Sequence, residues 1–308
     1  MSSTTKELIH ALNESLGHII YDQADITKQA LACLLANGPL LLEDLPGMGK
    51  TTLAHGLANI FGLDYQRVQF TSDLLPADII GSSVYQSSTE AFTFRQGPVF
   101  TQVLLADEIN RASPKTQSAL LEAMGERQIT ADGQTYTLDS PFFVIATQNP
   151  LHQSGTFPLP ESQLDRFMMR LSLGYPSQAA ERMLLSQGHA GGLFKHVEPI
   201  VTLEQLHTLQ KSVANVKASD HVLDYLQRLL SYTRESAEYP AGLSPRAALS
   251  WLHCAKAWAL IHQRDYVIPD DLQAVMLAVV GHRLLPKDSL SSVKTSVETM
   301  MRQVPVID

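Results

Sequence analysis

The sequence predicts an α/β fold built on a parallel sheet, followed by a smaller all-helical domain. Three observations lead there. Short apolar runs alternate with helix-like stretches through the first 175 residues, the pattern of a parallel α/β sheet. Several of these runs are unbroken rather than alternating, as strands covered on both faces should be. After Gly174-Tyr175-Pro176-Ser177 the pattern changes, and apolar residues recur at three- and four-residue spacing to the end.

Taken in order, the expected strands are 40–42, 65–70, 103–106, 142–146 and 170–173, with helices between them. A helix is expected over 52–61. Another begins at Ser113-Pro114, with serine as N-cap and proline at the first helical position, and Gly125 is a plausible stop. Two stretches interrupt the alternation. Residues 84–96 read as two short strands around a polar tip, and 127–138 read the same way, with Asp132-Gly133 as a tight-turn pair. They are hairpins on the core, either surface decoration or functional inserts. Helical periodicity is clearest at 222–230, 247–261 and 272–285, and the stretch 187–195, with three glycines, is expected to join helices. The division falls near Pro176, giving a first domain over 1–175 and a helical domain over 176–308.

The totals narrow the function classes. The chain has 308 residues, 44% hydrophobic and 18% charged, an ordinary globular profile. Its net charge of −8 gives little drive toward a phosphate backbone. Cys33 and Cys254 lie far apart and show neither disulfide nor zinc-ligand spacing. The eleven histidines show no paired metal spacing. No apolar run reaches the ~20 residues of a membrane span, and the first residues lack a signal-peptide pattern. A cytoplasmic protein without membrane insertion is expected. Trp251 and Trp258 read as core, while Phe92 and Phe94 either pack the first hairpin down or grip a client.

The chemistry begins at Leu45-Pro46-Gly47-Met48-Gly49-Lys50-Thr51-Thr52, between an apolar strand and a helix. That strand–loop–helix context is the one a phosphate-binding loop requires. Glycines let backbone N–H groups turn onto phosphate oxygens, and the helix N-terminus adds partial positive charge. Pro46, Gly47, Met48, Gly49, Lys50, Thr51 and Thr52 are the expected nucleotide contacts. Lys50 would reach the outer phosphates, and the Thr51 hydroxyl would ligate Mg²⁺. One departure stands out: Asp44 occupies the position where the motif usually has its first glycine.

A second strand, Val103-Leu104-Leu105-Ala106-Asp107-Glu108, ends on adjacent carboxylates. There Asp107 can hold the Mg²⁺ shell and Glu108 can activate water as general base. A third, Phe142-Phe143-Val144-Ile145-Ala146-Thr147-Gln148-Asn149-Pro150, brings Asn149 to the same edge, where open α/β sheets bind ligands.

The run Leu104-Leu105-Ala106-Asp107-Glu108-Ile109-Asn110-Arg111-Ala112-Ser113-Pro114-Lys115-Thr116-Gln117, with Leu120-Leu121-Glu122-Ala123-Met124, resembles the MoxR family of AAA+ ATPases. So do Ala146-Thr147-Gln148-Asn149-Pro150 and Leu159-Pro160-Glu161-Ser162-Gln163-Leu164-Asp165-Arg166-Phe167. The resemblance runs from about 21 to about 285. It implies an AAA+ P-loop αβα core with a five-stranded parallel sheet and a helical lid, assembled as a homo-oligomeric ring, usually a hexamer, with ATP and Mg²⁺ at subunit interfaces. The hairpins would be the helix-2 insert and the pre-sensor-1 hairpin. Lys50 and Thr51 match Walker A, Asp107 and Glu108 Walker B, Asn149 sensor 1, Arg166 the arginine finger and Arg246 sensor 2. Arg170 is a second candidate for the finger, though its place at a strand start makes it less mobile.

The resemblance implies an ATP hydrolase that remodels protein clients, often with a partner carrying a von Willebrand factor A domain, in enzyme maturation or metal-cofactor insertion. Three rivals stand beside it: a helicase-like nucleic-acid motor, a nucleotide-controlled scaffold with little turnover, and a metal-chelatase motor subunit. The acidic balance disfavours the first, and neither hairpin is rich in Lys or Arg, with Arg95 and Arg127 near their bases. An intact Glu108 speaks against the second. If the site is completed by a neighbour, activity should rise with protein concentration.

Overall fold

The computed structural model describes residues 3–17, 19–20, 22–149, 155–187, 199–287 and 292–306. Two helices lead, α1 (Ser3–Leu16) and α2 (Ala24–Leu35). Then come β1 (Leu40–Glu43), α3 (Lys50–Ile60), β2 (Tyr65–Gln69) and α4 (Pro76–Ile80). The first hairpin is β3 (Gly81–Gln86) with β4 (Ala91–Gln96), followed by β5 (Val103–Asp107), a 3₁₀ turn (Ile109–Arg111) and α5 (Pro114–Glu126). The second hairpin is β6 (Gln128–Ala131) with β7 (Gln134–Thr137). The core closes with β8 (Phe143–Gln148), α6 (Glu161–Leu164) and β9 (Met169–Leu171). The helical part holds α7 (Gln178–Gln187), α8 (Leu203–Asn215), α9 (Asp220–Glu235), α10 (Pro245–Ile261), α11 (Pro269–Val280) and α12 (Val293–Gln303).

The five-stranded sheet has the order β2-β5-β8-β1-β9, parallel throughout. Each expected strand is present within a residue or two. The reason lies in side-chain alternation across a sheet with two covered faces. Leu40, Leu42, Val103, Leu105, Phe143 and Ile145 point into one apolar cluster. Leu41, Leu104, Ala106, Val144 and Ala146 point into the other. Burying one such aliphatic side chain stabilises by about 1.5–3 kcal/mol, more than the ~1 kcal/mol of a typical helix cap. The three central strands therefore fix the geometry of the sheet's carboxyl edge. Edge strand β2 differs, since Gln66, Arg67 and Gln69 are exposed.

Local signals behave as read. Ser113 caps α5, accepting the Thr116 N–H at 3.4 Å, and Pro114 is its first residue. The helix runs one residue past Gly125 and ends with Arg127 in the left-handed region. Asp132 and Gly133 both have positive φ, as a tight two-residue hairpin turn requires. The hairpins also meet each other: Phe94 stacks on Tyr136 at 4.2 Å, and the Ser83 hydroxyl bonds the Asp132 carboxylate. Phe94 is thus a packing residue. Phe92 remains 75% exposed, edge-on to Tyr85.

The helical part packs on the sheet through the first cluster, which also takes in Leu206, Val213, Trp251 and Val279. Trp251 is wholly buried and donates its indole N–H to Leu272 O at 2.8 Å; Trp258 is half-buried against the same cluster. The leading helices join this side. Asn13 donates to Ile261 O at 3.1 Å and Gln29 to Ala274 O at 3.0 Å. Packing therefore runs across position 175. The glycine-bearing stretch 188–195 and Pro150 lie outside the described residues. No helix among the described residues is long and apolar enough to cross a membrane.

Candidate nucleotide site

The loop between β1 and α3 turns through two left-handed glycines, Gly47 (φ 84°) and Gly49 (φ 89°). A Cβ at Gly47 would meet nothing within 4 Å, so the demand for glycine there is conformational rather than steric. Helix α3 starts at Lys50, and its first N–H groups have no partner within the helix. They open on a cleft of about 400 Å³ lined by Pro46, Gly47, Gly49, Lys50, Thr51 and Thr52. Met48 completes the turn but does not line the cleft. The opposite wall is Asp107, Glu108 and Asn149, with Arg67 and Gln69.

The polar groups of this wall form a connected chain. Lys50 Nζ donates to Asp44 O at 2.7 Å and to Asn149 Oδ1 at 3.2 Å. Asn149 Nδ2 donates to Glu108 Oε1 at 3.1 Å, while Gln69 and Arg111 each donate to Glu108 Oε2 at 3.0 Å. The Thr147 hydroxyl donates to Asp107 Oδ1 at 2.6 Å and accepts the Glu108 N–H at 2.8 Å. Arg67 Nη2 and Nε both donate to Asp107 Oδ2, at 2.6 and 3.1 Å. Glu108 itself has φ 56°, a left-handed backbone that costs a non-glycine residue on the order of 1–2 kcal/mol. The bond from its N–H to the fully buried Thr147 holds it there. Burial lowers the Lys50 ammonium below the ordinary lysine range, and Asp44 leads the carboxylates opposing this, ahead of Asp107 and Glu108.

These residues suit a magnesium–nucleotide. Left-handed glycines and a bare helix start cradle phosphate through backbone N–H groups. The Thr51 hydroxyl and the Asp107 carboxylate are hard oxygen donors facing the same cleft, the few protein ligands that Mg²⁺ takes beside phosphate oxygens.

The two expected arginines do not line this cleft. Arg166 donates to Leu121 O on α5 at 3.0 Å. Arg246, exposed at the start of α10, lines a separate groove of about 310 Å³ with Met168, Ser250 and Lys256. The segments that carry them meet instead. Asp165, next to Arg166, accepts the Ser244 hydroxyl that caps α10, at 3.1 Å. Arg170 is tied down by Glu43 Oε2 at 2.8 Å and Gly281 O at 2.7 Å. That favours Arg166 over Arg170 as the mobile cation.

Sequence reasoning passed over the residues that hold the Arg166 segment. Arg283, its side chain 4% exposed, pairs with Asp165 Oδ1 at 2.8 Å and also donates to the carbonyls of Asp165, Phe167 and Met168. His282 is wholly buried, its Nε2 3.0 Å from Phe167 O. Burial first, and then Arg283, push its pKa well below the ordinary histidine value. The folded chain therefore keeps His282 neutral, whereas the unfolded chain protonates it near pH ~6.5. Its contribution to stability is full above that pH and is lost progressively as pH falls below it. Denaturant titrations at pH 7.5 and 5.5 should show this loss in the wild type and a smaller one in His282→Gln.

Arg67, Gln69, Arg111 and Thr147 were missed as well. The signal for the first two was present, since residues two apart on an edge strand share a face. Gln69 registers opposite Asp107.

The sheet order, the glycine loop at the start of α3 and the carboxylates at the end of β5 define an AAA+ ATPase. Residues 39–169 match the ATPase family associated with various cellular activities (AAA), and residues 231–303 match the AAA lid domain. The chain is 38% identical to Chaperone MoxR1 of Mycobacterium tuberculosis, over 96% of this chain and 81% of that one. It is 44% identical to YeaC of Bacillus subtilis, over 94% and 91%, and 30% identical to Protein MoxR of Paracoccus denitrificans, over 88% and 86%. The crystal structure of a candidate ATPase from Cytophaga hutchinsonii superposes with a TM-score of 0.88 at 35% identity, covering 98% of this chain and 96% of that one. The chain belongs to the MoxR family of AAA+ ATPases.

Proposed function

We propose that this chain hydrolyses ATP with Mg²⁺ at the interfaces of a homo-oligomeric ring, a hexamer, and uses the cycle to remodel or activate protein partners. The observation that carries the reading is the Lys50–Asn149–Glu108 chain across the cleft of about 400 Å³ at the start of α3, with Asp107 beside it. Lys50 and the α3 N-terminus would bind the phosphates, and Thr51 and Asp107 would hold the metal. Mg²⁺ would neutralise charge on the outer phosphates. Glu108 would take the proton of the attacking water, which Asn149 would orient. Arg166 and Arg246, on segments that meet at Asp165 and Ser244 and off their own cleft, suit contribution to a neighbour's site. The division at 175/176 would then let the helical domain shift relative to the ATPase core.

The name of the mycobacterial relative, a chaperone, supports a protein client, as does the exposed Tyr85–Phe92 pair on the first hairpin. The charge of −8 weighs against nucleic acid. A von Willebrand factor A domain protein is the expected partner. Phosphate release by the purified protein tests the reading. Release should require Mg²⁺, stop with chelator and be indifferent to DNA at physiological salt. Absence of release with MgATP would favour a nucleotide-controlled scaffold, and steep stimulation by DNA would favour a nucleic-acid motor.

A further inference from the structure

Asp44 occupies the position where a phosphate loop usually has glycine, yet its carboxylate does not line the cleft. It is buried, 6% exposed, and it has three donors. Oδ1 accepts the Ser172 hydroxyl at 2.7 Å and the Gly174 N–H at 3.2 Å, and Oδ2 accepts the Leu173 N–H at 2.5 Å. These three residues are where the chain leaves β9, which lies beside β1 in the sheet. From them it runs through Tyr175, Pro176 and Ser177 into α7 and the helical domain. Gly174 has φ 65°, the left-handed turn that brings its N–H onto the carboxylate.

The same residue's carbonyl accepts Lys50 Nζ at 2.7 Å. One buried side chain thus joins the start of the connection to the helical domain, while its backbone holds the lysine that faces the phosphates. We propose that Asp44 is a positioning residue that couples nucleotide at Lys50 to the segment 172–177, and through it to the helical domain. This rests on the nucleotide reading above and adds a residue to it. The electrostatics agree, because Asp44 is foremost among the carboxylates that favour the charged form of Lys50. Hydrogen bonds to an ionised carboxylate are shorter and stronger than neutral ones, and here three of them converge on one buried side chain.

A simple turn staple would have the same contacts but would hold 172–177 equally with and without nucleotide. Hydrogen exchange of the full chain, with and without MgATP, separates the two. In the wild type MgATP should slow exchange at 172–177. Asp44→Asn and Asp44→Gly should still bind MgATP, since glycine is the usual residue in such loops and keeps the carbonyl. The nucleotide-dependent slowing should nevertheless drop about fivefold or more, and kcat should fall while KM changes little. Ser172→Ala, at an exposed position, removes one donor of the three and should show a smaller drop in the same direction. It also gives the result if the Asp44 variants do not fold. Full nucleotide-dependent slowing in these variants, or none in a wild type that binds MgATP, overturns the inference. A wild type that does not bind MgATP would instead undo the nucleotide reading itself.

Discussion

Glu108→Gln is expected to bind ATP as the wild type does and to release phosphate about 10²–10⁴-fold more slowly, the range of a lost general base. The substitution keeps the shape of a side chain that receives hydrogen bonds from Asn149, Gln69 and Arg111. It removes the negative charge and the basicity. The neighbouring Asp107 faces the same cleft but is held by Thr147 and Arg67, and its expected role is at the metal rather than as base. Equilibrium titration with a fluorescent nucleotide checks the binding, and single-turnover phosphate release checks the chemistry. Turnover within a few-fold of wild type would remove Glu108 from the role of base.

Arg166→Ala should be as damaging, lowering turnover about 10³–10⁵-fold if it serves as an arginine finger. What distinguishes it from a surface arginine is its support. Arg283 fixes the flanking carboxylate of Asp165 and three carbonyls of residues 165–168 from a nearly sealed position, and His282 reaches a carbonyl of the same segment. Among the described residues, the guanidinium of Arg166 donates to the Leu121 carbonyl, one bond to release. Arg170→Ala makes the contrast. Its ion pair with Glu43 is largely sheltered, so the substitution should lower thermal stability more than it alters the chemical step. Comparable loss of turnover in Arg170→Ala, with unchanged stability, would move the finger assignment to that residue.

The strands, the helix start at Ser113 and both hairpins were readable because each rests on local chemistry. Buried parallel strands are continuous apolar runs, and cap and turn residues act on their own backbone. The leading helices carry no motif, and the helical spacing of Ile9, Leu12 and Leu16 does not show where such a helix packs. Within the site, residues from Pro46 to Thr52, with Asp107, Glu108 and Asn149, were legible as motifs. Arg67 and Gln69 were not, since they act by meeting carboxylates about forty residues away, and Arg111 meets Glu108 only through the 3₁₀ turn that follows β5. Asp44 was visible only as a departure from a pattern. Its partners at 172–174 follow β9, far along the chain, and only the sheet order brings them together. For the same reason the sequence could name Arg166 and Arg246 but could not show that both stand off their own cleft.

The central claim is that this cleft is half a site, completed by Arg166 of a neighbouring subunit. Mixing subunits tests it most directly. Glu108→Gln and Arg166→Ala preparations are each nearly inactive on this account, but a mixed ring contains interfaces where an intact Glu108 meets an intact Arg166. Phosphate release should therefore reappear on mixing, in proportion to subunit exchange followed by fluorescence between labelled chains. Mixed assemblies that form and remain inactive, or Arg166→Ala protein as active as wild type, would contradict the account.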